Sequence, residues 1–426
     1  MKKLFSLTLA ANLVLGLCAC NTSVGKENVG FRVGYGSTVT TPEEDLYLMG
    51  YGNDTGRKSQ GVLTDLYATC VAITDAQGST VLLYGLDMMK MEGVLADAFI
   101  GAISEATGVP KDNILLSASH SHSTPSLGNS YGLNSTYGQL YQKKLVEAAK
   151  AAMDDRAAAE IRIGSRPVDR MNFVRHYTTD TGVVIGDNFS SGGYSSLTGH
   201  TTQSDRQLQL VHFVRSDRKD IVMVNWQGHP TLSSTSMVGA EDKKFLVSAD
   251  YVGICRQYIQ EALACHVSFY LGASGNLNAY SRIKSENIDT DYKKYGKNLG
   301  AQVVAGLAEL KPTEAAALKA QRTDFAVELP SGGDGTVELN VYTMGELAFA
   351  SVSYEMFDTN GMTVKNESPF ALTMMITMAN GYQNYVPADN AFDYPSCYEV
   401  RSTRFVRGTG EAVAEELVRQ LKEMKD

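Results

Sequence analysis

Histidine is scarce in this chain and placed where it could do chemistry. The 426 residues include only seven histidines, and two of them, His120 and His122, are separated by one serine. They follow the apolar run Ile114 to Leu116, which reads as a buried strand, and precede a turn at Pro125. On an extended backbone the side chains at i and i+2 point to one face. The spacing therefore predicts two imidazoles emerging together at a strand end, a way of offering nitrogen donors to zinc. Three more segments share this grammar. Ile221 to Trp226 runs into His229, flanked by Gly228 and Pro230. The apolar run from Leu347 ends in Glu355, and Met378 to Pro387 is a tyrosine-rich turn. Imidazoles plus one carboxylate, with a position left open for water, are the usual donors of a catalytic zinc.

Plainer readings stand beside these. The His120–His122 pair could be two surface histidines in a polar loop. His229 could be a turn histidine beside proline, and Glu355 could cap a helix starting at Met356. Tyr382 reads as packing. His176 and His200 sit in polar segments and read as non-ligands, whereas His212 and His266 read as structural.

The elements that must position these residues alternate in type. Leu66 to Asp75, Ser79 to Leu86 and Ile114 to Ser119 read as strands. Val94 to Glu105 and Tyr137 to Met153 read as helices with Ala-rich apolar faces. Arg206 to Phe213 alternates and turns at Ser216-Asp217 into Ile221 to Trp226, which predicts a hairpin. Asp250 to Cys265 and Tyr292 to Leu310 read as helices, and His266 to Gly272 as a strand between them. Phe325 to Leu329, Thr336 to Met344 and Leu347 to Ser353 read as strands, and Gly410 to Met424 as a closing amphipathic helix. The expectation is an α/β fold, with mixed β-sheets flanked by helices in a single large catalytic domain and the site at strand ends. Thr178 to Thr202, rich in Gly, Ser and Thr, is expected to be a long loop over the site.

Lys2-Lys3, the apolar stretch Leu4 to Leu17 and the sequence Leu17-Cys18-Ala19-Cys20 read as a lipoprotein signal, with Cys20 lipidated. An ordinary secretory signal is the alternative. The apolar stretch is too short for a membrane span of roughly 20 residues. The expected organisation is a signal over 1–20, a polar tether over 21–28 and a catalytic domain over 29–426. This implies an exported protein held at the envelope membrane by its lipid. Net charge is −9 and no basic block exists, so nucleic-acid binding is disfavoured. Four cysteines remain beyond the signal, Cys70, Cys255, Cys265 and Cys397, none in a CxxC pair, which argues against a thiolate zinc site. Export permits disulfides, but the spacing demands none.

Taken in order, the motifs resemble the neutral/alkaline, non-lysosomal ceramidase family over almost all of the mature chain. They are Gly50-Tyr51-Gly52, Gly61 to Ala68, the His120–His122 segment, the His229 segment, Ser248 to Gly253, Gly275 to Asn278, and Asn380, Tyr382 and Tyr385 followed by Tyr398-Glu399. The resemblance implies zinc held by His120, His229, Glu355 and Tyr385. It implies His122 beside the metal as a hydrogen-bonding or acid/base group, Arg175 near the substrate carbonyl, and Tyr398 steadying the oxyanion. Arg175 could also be an ordinary surface residue.

The implied activity is hydrolysis of an N-acyl amide, with ceramide or a related N-acyl lipid as substrate. Rival readings are a zinc deacetylase or peptidase acting on envelope glycans or peptides, and a non-catalytic lipid- or glycan-binding lipoprotein. Two departures matter. Asn278 occupies the position of a family serine, which favours zinc-activated water over a serine acyl-enzyme, with Asn278 positioning substrate. The long ceramidases also carry a further C-terminal β-sandwich domain, whereas this sequence ends one helix after the tyrosine motif.

Overall fold

A computed structural model describes residues 30–425, apart from 52–55, 129–130, 188–195, 234–244 and 395–396. The expected signal and tether, Gly52, and part of the expected 178–202 loop lie outside the described residues.

Two large sheets build most of the molecule. The larger has nine strands, ordered from one edge as His266–Leu271, Ile221–Trp226, Gln207–Arg215, Ala157–Pro167, Arg32–Val39, Tyr67–Thr74, Thr80–Leu86 and Ile114–Ala118, with Lys311–Thr313 paired beside Ala157–Pro167. Both edge pairs are parallel and the interior pairs antiparallel. A parallel pair needs a crossover, and a helix supplies each one. Gly93–Thr107 links Thr80–Leu86 to Ile114–Ala118, and Asp250–Leu263 links Ile221–Trp226 to His266–Leu271. The sheet bends until its two edges meet. Tyr270, on one edge strand, donates its hydroxyl to the Leu83 carbonyl near the other edge at 3.0 Å. Ser268 and Thr69 hydroxyls lie 2.8 Å apart across the same approach.

The second sheet runs Lys319–Glu328, Asp334–Met344, Leu347–Val352 and Leu372–Ile376, with helix Asp358–Glu367 as crossover between its last two strands. Its last strand leads into a segment that laces the larger sheet's edges together. Thr377 N–H donates to the Leu271 carbonyl at 2.9 Å, and Ala118 N–H to the Met378 carbonyl at 3.1 Å. Helix Thr409–Lys425 covers this sheet with Val413, Ala414, Leu417 and Leu421, the spacing of one helical face.

Helix Thr136–Asp154 shows how closely the layers fit. Ser135 caps it, accepting from Gly138 N–H at 3.0 Å. Its buried residues Tyr137, Tyr141, Leu145, Ala148 and Ala152 recur every three or four positions. The facing strand offers Gly34 and Gly36, where an added Cβ would come within 2.0 Å of the Ala152 and Ala148 carbonyl oxygens. Only glycine permits that approach.

The expected α/β class stands, and the anticipated strands and helices form with ends shifted by a few residues. Phe325 to Leu329 is part of a longer strand that begins at Lys319. Two expectations are corrected. The segment 178–202 is not simply a loop. His176–Thr179 pairs with both Val184–Gly186 and Leu197–His200 in a small antiparallel sheet. Helix Asp358–Glu367 starts after Phe357, so Glu355 caps nothing. Among the described residues the four cysteines are buried and free, and no helix is long and apolar enough to cross a membrane.

Candidate metal centre and catalytic site

The site forms where the sheet edges meet. Strand Ile114–Ala118 stops short of the histidines, and His120 has φ 66°, in the left-handed region. The shared-face reading of His120 and His122 on an extended strand is therefore wrong in mechanism. A turn, not a strand pleat, brings their rings to 4.9 Å, nearly perpendicular. His229 follows Ile221–Trp226, the strand next to the opposite edge of the sheet, with ring centroids 4.8 Å from His120 and 5.3 Å from His122. One nitrogen from each ring lies within 4.8 Å of the others, so this buried group could hold a metal ion.

Glu355 lies just beyond the second sheet's strand Leu347–Val352, in the short strand Glu355–Met356. Its Oε2 lies 3.4 Å from His120 Nε2 and 3.2 Å from His229 Nε2. Backbone carbonyls fix both imidazoles from behind. His120 Nδ1 donates to the Met89 carbonyl at 2.9 Å, and His229 Nδ1 to those of Ser274 and Leu277 at 3.0 and 3.2 Å. With Nδ1 protonated, each Nε2 lone pair points inward. His120 Nε2, His229 Nε2 and Glu355 Oε2 are buried without a hydrogen-bond partner among the described residues. Buried polar atoms are rarely left so, and three orphans facing one point are what a metal would satisfy.

Electrostatics agree. Burial, with Arg175 nearby, lowers His229 to about 4. Burial and the neighbouring histidines hold His122 well below its usual range. Burial opposes ionisation of Glu355, but the two imidazoles outweigh it and keep the carboxyl well below the usual carboxylate range. Neutral imidazoles and an ionised carboxylate are the forms that bind metal.

Tyr385 pairs in register with Glu355 in a two-residue parallel ladder. Its hydroxyl lies 3.2 Å from the Arg175 guanidinium, which donates to it. Arg175 is buried, not a surface residue. It also donates to Glu399 Oε1 and to the Gly275 carbonyl, both at 2.6 Å. Tyr398 stands edge-on to Tyr385, ring centroids 5.8 Å apart. Asn278 bridges His229 through the backbone, and its side-chain amide donates to Asp187 Oδ2 at 3.1 Å.

Three participants escaped the sequence reading. Glu399 is buried and holds both Arg175 and His176, the latter through a 3.0 Å bond from Nε2 to Oε2. The only signal for it was its place directly after Tyr398. Asp187 carried no signal. Tyr382, read as packing, donates its hydroxyl to Glu355 Oε1 at 3.0 Å.

Residues 31–308 match the family described as neutral/alkaline non-lysosomal ceramidase, N-terminal. Among solved structures, the chain is similar to the neutral ceramidase from Pseudomonas aeruginosa, with TM-score 0.72 and 14% identity over 91% of this chain and 73% of that one. It is similar also to a ceramidase complexed with C2, with TM-score 0.74 and 14% identity over 93% of this chain and 75% of that one. At that identity the likeness establishes the fold.

Proposed function

The chain belongs to the neutral/alkaline non-lysosomal ceramidase family, and on that premise we propose a zinc-dependent enzyme of the cell envelope that cleaves the N-acyl bond of ceramide or a related lipid. Membership makes it a hydrolase acting on an amide bond. The metal, the lipid and the location are the parts proposed. One observation carries the metal: three buried, unpartnered donor atoms on His120, His229 and Glu355 face a common point.

In this reading His120, His229, Glu355 and Tyr385 hold the ion. When bound there, zinc supplies a Lewis acid for the amide carbonyl and lowers the pKa of a water to roughly 7. The residues do the rest. His122, neutral and beside the ligands, takes the proton of the attacking water and delivers it to the leaving amine. Arg175, fixed by Glu399 and the Gly275 carbonyl, donates to the Tyr385 hydroxyl and presents positive charge to the oxyanion. Tyr398 adds a hydroxyl donor. Asn278 has no useful pKa and cannot be an ionising nucleophile, so it orients substrate while Asp187 holds its amide. Residues 1–20 export the chain, Cys20 carries the lipid, 21–28 tether the catalytic domain over 29–426, and the anchored enzyme meets N-acyl lipid at the membrane.

The test is direct. Purified protein should release fatty acid from N-acyl sphingosine, lose that activity to a chelator and regain it with zinc. Tight zinc binding without hydrolysis of any N-acyl lipid would overturn the substrate. Cys20→Ser should move the protein out of the membrane fraction, and unchanged fractionation would overturn the anchor.

A further inference from the structure

Tyr382 and Lys90 form a second layer behind the proposed metal donors. We infer that Tyr382 is a positioning residue that fixes the Glu355 carboxylate, that Lys90 braces Tyr382, and that the segment Met88 to Lys90 thereby orients two donors at once. The inference rests on the reading of His120, His229 and Glu355 as metal donors.

The geometry is a short chain of contacts. Tyr382 donates its hydroxyl to Glu355 Oε1 at 3.0 Å, leaving Oε2 as the oxygen that faces His120 and His229. A carboxylate held at one oxygen cannot rotate to offer both, so the bond selects which oxygen meets a metal. The turn that carries Tyr382 is itself tied to the Glu355 segment. Gln383 N–H donates to the Ser353 carbonyl, and Glu355 N–H to the Asn384 carbonyl, both at 2.9 Å. Tyr382 therefore moves with the residue it holds.

Lys90, in the segment just beyond the larger sheet's strand Thr80–Leu86, closes the chain. Its ammonium lies 4.4 Å from the centre of the Tyr382 ring. A cation on the face of a phenol is attracted to the ring and draws electron density from it, which strengthens the hydroxyl as a donor. The residues just before Lys90 hold His120. Its N–H donates to the Met88 carbonyl at 2.8 Å, and its Nδ1 to the Met89 carbonyl at 2.9 Å. Lys90's own carbonyl accepts from Leu127 N–H at 3.2 Å, which pins the segment. One strut thus reaches His120 through its backbone and Glu355 through a side-chain relay.

The experiment measures zinc affinity, not turnover. Zinc is titrated into metal-free full-length protein against a chromophoric chelator, for wild type, Tyr382→Phe, Lys90→Met and Lys90→Arg. Tyr382→Phe should weaken zinc binding about 10- to 100-fold. Lys90→Met should weaken it by less, and Lys90→Arg, which keeps the cation over the ring, should match wild type. Unchanged affinity in Tyr382→Phe overturns the inference while leaving the metal site intact. Should Tyr382→Phe fail to fold, unchanged affinity in Lys90→Met overturns it instead. A wild type that takes up no zinc sinks the metal reading, and this inference with it.

Discussion

Glu355 Oε2 lies 3.2 Å from His229 Nε2, although the one follows a strand of the four-stranded sheet and the other a strand of the nine-stranded sheet. Two buried acceptors at that distance, each without a proton donor, are a costly arrangement unless a cation lies between them. The purified protein should therefore carry one tightly bound transition metal. His229→Ala and Glu355→Gln should each lose it or most of the activity. Elemental analysis of wild type and variants prepared without chelator checks this, and full occupancy in both variants would place the ligands elsewhere. Because binding favours the folded state, removing the metal should also lower Tm.

His122 approaches both His120 and His229, but neither of its nitrogens has a hydrogen-bond partner among the described residues. As the proton carrier it should be dispensable for metal and needed for turnover. His122→Ala should reduce kcat by about 10² to 10⁴ with zinc retained. Loss of the metal in this variant would instead make His122 a ligand.

The Asn278 side-chain amide donates to Asp187, and an amide has no ionisable proton to lose as a nucleophile. No covalent acyl-enzyme should form. Mass spectrometry of enzyme quenched during turnover should show unmodified protein. An acyl adduct on Ser274 or any other side chain would expose a missed nucleophile.

The buried His176–Glu399 pair makes stability depend on pH at both ends. Burial disfavours charged His176, but Glu399 outweighs it and raises the imidazole to about 9. Its contribution is complete below the ordinary value near 6.5 and is lost as pH rises through about 9. Burial likewise opposes ionised Glu399, but Arg175 and His176 lower it to about 2. That contribution is present above 4.5 and is lost as pH falls through about 2. Denaturant unfolding should show stability declining in both windows, by up to about 1.4 kcal/mol per pH unit for each group. His176→Gln should flatten the alkaline limb. An unaltered slope would mean that His176 does not hold this proton.

Gly36 should tolerate no side chain. A Cβ there would sit 2.0 Å from the Ala148 carbonyl, so Gly36→Val should destabilise the fold by roughly 1–3 kcal/mol. Thermal melting reads the shift, and a Tm equal to wild type would refute the close packing.

Much of this protein was legible in its sequence because local patterns carry local physics. Apolar runs of strand length, amphipathic helices and polar strand ends located most elements and named His120, His122, His229 and Glu355 as candidates. Asn278 and the tyrosine turn were marked by order along the chain. Tertiary structure alone decided what those candidates meet. The sheet had to bend so that strands from its two opposite sides delivered His120 and His229 to one point, and no local pattern encodes a contact between distant strands. The left-handed turn at His120 replaced the expected strand geometry, since a five-residue strand ends before the histidines begin. Asp187 lacked any distinguishing context, and the motif that marked Tyr382 and Glu399 did not reveal their roles, because a residue that acts by holding another is defined by its partner, and these partners lie far away in the chain. What the sequence determined was which side chains could do chemistry; how they were oriented, and by which neighbours, was set by the packing of two sheets against each other.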